Sequence, residues 1–314
     1  MSYRKLMGIL AIVAVTAFGC SNRLEPTEGS FEIPGGKIWY RIVGKGLGTP
    51  LIVIHGGPGI PSYYLKSLGE LGDDRPVVFY DQLGAGHSSM TSDTTLFTIN
   101  RFRDELGLLI KHLGVKKVDL YGHSWGAILA AEYTLSNPAM VKSLILASPA
   151  LDISRWMSDA DSLLRTLPDS TQEIIRKNEA AGTYDSPEYQ NAVTQFYQMY
   201  LSRKLPWSAD IDSSMMQMNP ALYGYMEGPS EFSITGTLKG YTIAPRLKEI
   251  KCPTLFIAGE HDEVLPQTLM YYKSMVPKSQ FAFIRDAGHL AMIDNTPAYI
   301  ESVREFLDRA DGKF

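Results

Sequence analysis

From Phe31 onward, hydrophobic and polar positions alternate between two periods. Short alternating segments, Phe31-Glu32-Ile33 and then Lys37 to Val43, turn at Pro34-Gly35-Gly36 and predict an antiparallel hairpin. Continuous apolar runs of strand length follow at Leu51 to Ile54, Val77 to Tyr80, Val118 to Tyr121, Leu144 to Leu146, Thr254 to Ile257 and Phe281 to Ile284. Runs without alternation predict strands buried on both faces, as in a parallel sheet. Helical periodicity separates them over Arg101 to Leu113, Gly126 to Leu135, Gln267 to Met275 and Ala298 to Leu307. This strand–helix alternation predicts the α/β class, a mostly parallel central sheet with helices on both faces. One stretch, from Leu151 to about Thr242, holds no buried-strand pattern. It carries helical patches rich in Met and aromatics (Ser158 to Leu167, Ser170 to Ala180, Glu188 to Leu205) and then a Pro/Gly/Ser-rich zone. The expectation is a core in two parts, residues 27–150 and 243–314, with a helical cap inserted over residues 151–242.

Composition adds exclusions. Hydrophobic residues make up 45% and charged residues 20%, an ordinary globular balance that argues against a disordered or fibrous chain. The formal charge of −4 comes without any block of like charge, so no nucleic-acid partner is expected. Two cysteines are too few for a disulfide scaffold, and no His, Cys or carboxylate cluster has metal-ligand spacing; neither metal nor cofactor is expected. At the N-terminus, Arg4 and Lys5 precede the apolar run Leu6 to Phe18. That run is shorter than a membrane span of about 20 residues and fits an export signal. It ends at Gly19-Cys20-Ser21-Asn22, which resembles a bacterial lipoprotein cleavage site, although Ala17-Phe18 stand where an aliphatic and then a small residue are usual. Residues 1–19 are therefore expected to be a signal peptide, Cys20 the lipidated first residue, and the protein exported, touching a membrane only through that anchor. Cys252, beside Pro253 at a strand start, reads as a small buried hydrophobe.

The candidate chemistry centres on Gly122-His123-Ser124-Trp125-Gly126, which follows a predicted strand and opens a predicted helix. That is the setting a G-x-S-x-G elbow requires, and it makes Ser124 the nucleophile. Of the six histidines, His55 and His123 flank backbone turns, His112 lies in a helix, His87 sits in a turn, and His261 abuts an acid. His289 stands just past the last strand in Asp286-Ala287-Gly288-His289 and takes the base role. Asp262 follows the strand Thr254 to Ala258 and is the favoured acid, with Asp152 as rival; the order Ser, acid, His is that of the α/β-hydrolase fold. In His55-Gly56-Gly57-Pro58-Gly59, a glycine amide can approach a reacting carbonyl, so the N–H groups of Gly57 and Trp125 are the candidate oxyanion donors.

Together these motifs resemble the proline iminopeptidase family of α/β hydrolases, from about Phe31 to the C-terminus. The resemblance also rests on Asp81-Gln82-Leu83-Gly84-Ala85-Gly86-His87-Ser88, Gly259 to Glu263 and Met226-Glu227-Gly228-Pro229-Ser230-Glu231-Phe232. The last block is similar to the branch holding the prolyl aminopeptidase that partners tricorn protease and related amino-acid amidases; the other branch typically has Arg where Leu83 stands. What the resemblance implies is a serine exopeptidase acting through an acyl-enzyme. It would release an N-terminal Pro or small apolar residue from short peptides or amides, with Glu231 and Glu263 holding the free α-ammonium. The alternatives are an esterase, lactonase or amidase of the same fold and, more remotely, a non-catalytic binding protein. Trp207, Tyr223, Tyr225 and Tyr241 are candidate pocket walls.

Overall fold

The computed structural model describes residues 24–313, so the expected signal peptide over residues 1–19 and the lipid site at Cys20 lie outside the described residues. Strands β1 (Thr27–Ile33) and β2 (Gly36–Val43) form the expected hairpin, and β2 pairs antiparallel with β4 (Val77–Asp81). Every later pairing is parallel: β3 (Leu51–Ile54), β5 (Val118–His123), β6 (Val141–Ala147), β7 (Thr254–Gly259) and β8 (Ser279–Ile284) complete an eight-stranded sheet in the order β1-β2-β4-β3-β5-β6-β7-β8.

Burial on both faces explains the unalternating runs. In β3, Ile52 and Ile54 join one core with residues of α1 (Ile99–His112) and α2 (Trp125–Ser136), while Leu51 and Val53 join the opposite core. Between β6 and β7 the chain forms α3 (Ile153–Leu164), α4 (Asp169–Ala181), α5 (Pro187–Tyr200), α6 (Ala209–Met216) and α7 (Pro220–Met226). The first three of these helices share a core of their own around Leu163, Ile175, Tyr189 and Phe196. After β7 come α8 (Pro266–Met275), then α9 (Ala291–Asp294) and α10 (Thr296–Ala310); α8 joins the α1–α2 core and α10 the opposite one, along with a 3₁₀ segment over Ser62–Asp73.

Three features depart from the sequence expectation. The patch expected at Ser158 to Leu167 is a helix starting at Ile153, because Asp152 caps it by accepting the Arg155 amide. The Pro/Gly/Ser-rich zone contains α6 and α7, capped by Ser208 and Asn219, and Pro220 occupies the first turn of α7, where its missing N–H costs nothing. The 3₁₀ segment at Ser62–Asp73 had no clear period in the sequence.

The fold is also tied together by a buried ion pair. Arg75, 1% exposed, donates to Asp119 of β5 at 2.8 Å and to Asp311 beyond α10 at 2.9 Å.

Candidate active site

Ser124 sits between β5 and α2 with φ 54 and ψ −119, in a backbone region that L-residues seldom occupy. The sharp turn is possible because the residues two before and two after the serine have no Cβ. A Cβ on Gly122 would lie 2.3 Å from the Gly126 carbonyl oxygen, and one on Gly126 would lie 2.4 Å from that of Ile54. The Ser124 amide is anchored on the Ala147 carbonyl at 2.9 Å.

The base and acid meet from separate loops. Nδ1 of His289 lies 2.8 Å from Oδ1 of Asp262. The other Asp262 oxygen accepts from Ser148 Oγ at 2.7 Å and the Gly259 amide at 3.0 Å. Burial alone would raise this carboxyl, but the His289 charge and these hydrogen bonds hold it below the usual carboxylate range. Asp152, the rival acid, instead caps α3 and accepts from Thr242 Oγ1. Ser148 belongs to the site by geometry alone; its one sequence signal is its place at the end of a buried strand.

The base loop is strapped to the inserted helices. His289 N donates to the Tyr200 carbonyl at 2.7 Å, and Leu290 N to that of Leu201 at 2.8 Å, at the end of α5. Asp294 reinforces the strap by accepting from Gly288 N, Ser202 Oγ and Arg203 N.

A hydrogen-bond lattice fixes the glycine loop after β3. Gln82 N donates to His55 Nε2 at 2.9 Å, so His55 carries its proton on Nδ1 and donates it to the Gly56 carbonyl at 2.8 Å. Gln82 Oε1 then accepts from the Trp125 indole at 2.9 Å, joining this loop to the elbow. Gly57 has φ 110, and a Cβ there would lie 2.6 Å from the Gly59 nitrogen. Trp125 opens α2, where amides have no acceptor within the helix. Both candidate oxyanion residues line the same cavity as Ser124 and His289.

That cavity lies between two walls. One wall is apolar and comes from the α1–α2 side (Ile128, Ile153, Trp156, Leu238); the other comes from the opposite core (Tyr64, Leu201, Ile211, Leu290). Of the four candidate aromatic walls, Tyr223 lines it; Trp207 donates to the Ser202 carbonyl, Tyr225 packs on Phe97, and Tyr241 donates to Glu132.

Two carboxyls, those of Glu227 and Glu231, lie on the cavity wall. Glu263 is 3% exposed and stands beside Glu231, its Oε2 3.6 Å from His289 Nδ1, and neither of its oxygens accepts from a protein donor. Burial first, and then the Glu231 charge, push the Glu263 carboxyl well above its ordinary range. Two carboxyls of like charge held this close in a buried setting favour a cation placed against them. Burial also raises Glu231, against the pull of His289 and a hydrogen bond from Tyr197 Oη at 3.4 Å. The sequence reading assigned no role to Glu227, although it lies in the quoted block with Glu231. Away from the cavity, Glu260, His261 and Asp286 place one potential metal-ligand atom each within 4.8 Å of one another; Glu260 and Asp286 are exposed.

Chemically, the arrangement offers a serine on a tight turn, an imidazole oriented by a buried carboxylate, two turn amides, and a carboxyl cradle at one end of the cavity. Comparison with known proteins places it further. A family model described as alpha/beta hydrolase fold matches residues 49–296. A curated protein named proline iminopeptidase, from Heyndrickxia coagulans, is 40% identical over 90% of this chain and 99% of its own length. Another so named, from Saccharolobus solfataricus, is 32% identical over 94% of this chain and 96% of its own. The crystal structure of the proline iminopeptidase of Mycobacterium smegmatis superposes with a TM-score of 0.85 at 30% identity, covering 91% of this chain and 99% of that one.

Proposed function

The chain belongs to the proline iminopeptidase family of the α/β-hydrolase fold, and from that premise we propose that it is a serine aminopeptidase releasing an N-terminal proline or small apolar residue from peptides or amides. The observation that carries the reading is the Glu231 carboxyl on the wall of the cavity that also holds Ser124 and His289, with the buried Glu263 carboxyl beside it. An exopeptidase must tell a free ammonium from a neutral peptide N–H. A buried acidic pair does so, because a blocked terminus leaves it without a counter-charge.

His289 Nε2 takes the Ser124 proton as Oγ attacks the first carbonyl carbon, and the oxyanion that forms receives the amides of Gly57 and Trp125. Asp262 fixes the imidazole tautomer and stabilises the imidazolium. The imidazolium then gives its proton to the leaving nitrogen, the amine departs, and an acyl-enzyme remains on Ser124. Water repeats the sequence, with His289 again as base, and releases the amino acid and the free serine. Glu231 and Glu263 hold the α-ammonium throughout.

The test compares prolyl and alanyl arylamides with their N-acetylated forms and a short-chain acyl ester. Turnover of the free amines with silence on their N-acetylated forms is expected, abolished in Ser124→Ala; turnover of the ester without the free amines overturns the peptidase reading. Glu231→Ala is expected to lower activity on free amines far more than on the ester. Equal losses would remove the amine-holding role.

Export through residues 1–19 and lipid attachment at Cys20 belong to the same proposal, supported by Arg4, Lys5, the Leu6 to Phe18 run and Gly19-Cys20. Among the described residues no helix is long and apolar enough to cross a membrane. Radiolabelled fatty acid incorporated by the wild type and lost in Cys20→Ala is the expected result; labelling in neither removes the anchor.

A further inference from the structure

The cradle contains one carboxyl more than a proline substrate can use. Glu227 directly follows α7, is 8% exposed, and lies on the cavity wall with Glu231. Its backbone is fixed at both ends: its amide donates to Tyr223 O at 2.8 Å and its carbonyl accepts from Gly236 N at 2.9 Å. Among the described residues, none donates a hydrogen bond to its carboxyl, and the charged group acting on it is Glu231, of like sign. The cavity lining includes no lysine or arginine. A cavity-facing carboxyl with no protein donor and only a like charge beside it is placed to receive a donor brought by the substrate.

The count of donors decides which. A proline α-ammonium is secondary and has two N–H groups, which Glu231 and Glu263 satisfy; a primary α-ammonium has three. We propose that Glu227 accepts the third N–H of a primary α-ammonium and so sets how well the enzyme takes primary N-terminal amines relative to secondary ones. This rests on the aminopeptidase reading above and assigns its preference between primary and secondary N-terminal amines to one side chain.

Alanyl and N-methylalanyl arylamides separate the donor count from side-chain size, since they share the methyl side chain and differ in having three N–H groups or two. In Glu227→Leu, the ratio of kcat/KM for alanyl over N-methylalanyl arylamide is expected to fall roughly tenfold or more, the effect of one lost hydrogen bond to a charged group. Glu227→Gln retains an acceptor oxygen and is expected to restore part of that ratio. A ratio is insensitive to partial misfolding, which lowers both substrates together. An unchanged ratio in both variants overturns the proposal, whether the absolute rates fall or not. Failure of the underlying reading is separate: the wild type would then hydrolyse N-acetylalanyl arylamide as readily as the free amine.

Discussion

Nε2 of His123 lies 3.0 Å from the carbonyl oxygen of His289, so the residue preceding the elbow serine holds the backbone of the base. A carbonyl can only accept, which places the His123 proton on Nε2 and leaves Nδ1 to accept from Tyr64 Oη at 2.9 Å. Tyr64 Oη in turn accepts the Gly56 amide at 2.7 Å. A relay of three hydrogen bonds thus joins the glycine loop, the elbow and the base loop. Burial, helped by the charge of His289, pushes His123 down to about 3, so it stays neutral and the relay keeps its direction at working pH.

Tyr64→Phe breaks this relay at both ends while leaving the packing. Its expected effect is a fall in kcat of roughly tenfold, on amides and esters alike, since the loss concerns the base and the glycine loop rather than the ammonium. Steady-state kinetics on both substrate types measures it, and an unchanged kcat would count against the relay.

Asp294 is a positioning residue of the same kind, remote from the substrate. Asp294→Ala frees Gly288 N and Ser202 Oγ, and the expected cost is about 1–3 kcal/mol of stability together with a lower kcat at little-changed KM. Thermal melting and kinetics test the two halves separately; a change confined to KM would place Asp294 in substrate binding instead.

Arg75 concerns stability alone. Arg75→Ala leaves Asp119 buried without its counter-ion, and a loss of about 3–5 kcal/mol is expected in denaturant titration. Activity below the shifted melting point should match the wild type, because neither residue lines the cavity.

Glu227 gives stability a pH dependence of definite sign. Burial and the Glu231 charge push its carboxyl from 4.5 up to about 8. Between those limits the folded chain holds a proton that the unfolded chain has released, so the wild type loses stability as pH rises through the window. Glu227→Leu lacks that loss while Glu231 and Tyr223 remain, and its Tm relative to the wild type should climb from about pH 5 to about pH 8. Parallel pH profiles for the two proteins would contradict the elevated value.

Much of this was legible in the chain. The unalternating runs announced strands because both faces of the sheet are covered, as Leu51 and Ile52 on opposite sides illustrate. The elbow could be read because its two glycines answer a local steric need. What escaped was long-range. Ser148 matters because β6 ends beside β7, and Gln82 because one side chain meets both His55 and Trp125. Neither relation leaves a period in the sequence. The helices of the insertion were partly visible: Ser186-Pro187 and Asn219-Pro220 are cap signals that survive in a stretch whose hydrophobic pattern is weak. Glu227 stood within a quoted motif, but only its cavity-facing, donor-free position separates it from a solvated glutamate.

The strap from Tyr200 and Leu201 to the base loop also governs how this fold can be recombined. A helical insertion between two strands looks like an exchangeable module, to be traded between relatives for a new substrate preference. Here its first half ends on carbonyls that seat His289 and Leu290, so a chimera made by swapping the whole insertion also swaps the seat of the base. The workable seam lies after Lys204, the last residue of the insertion that donates to Asp294. Beyond it, the segment carrying Glu227 and Glu231 can be redesigned for a different amine, provided that Ser214 and Asn219, which bind Tyr64 N and the Gly59 carbonyl, are kept.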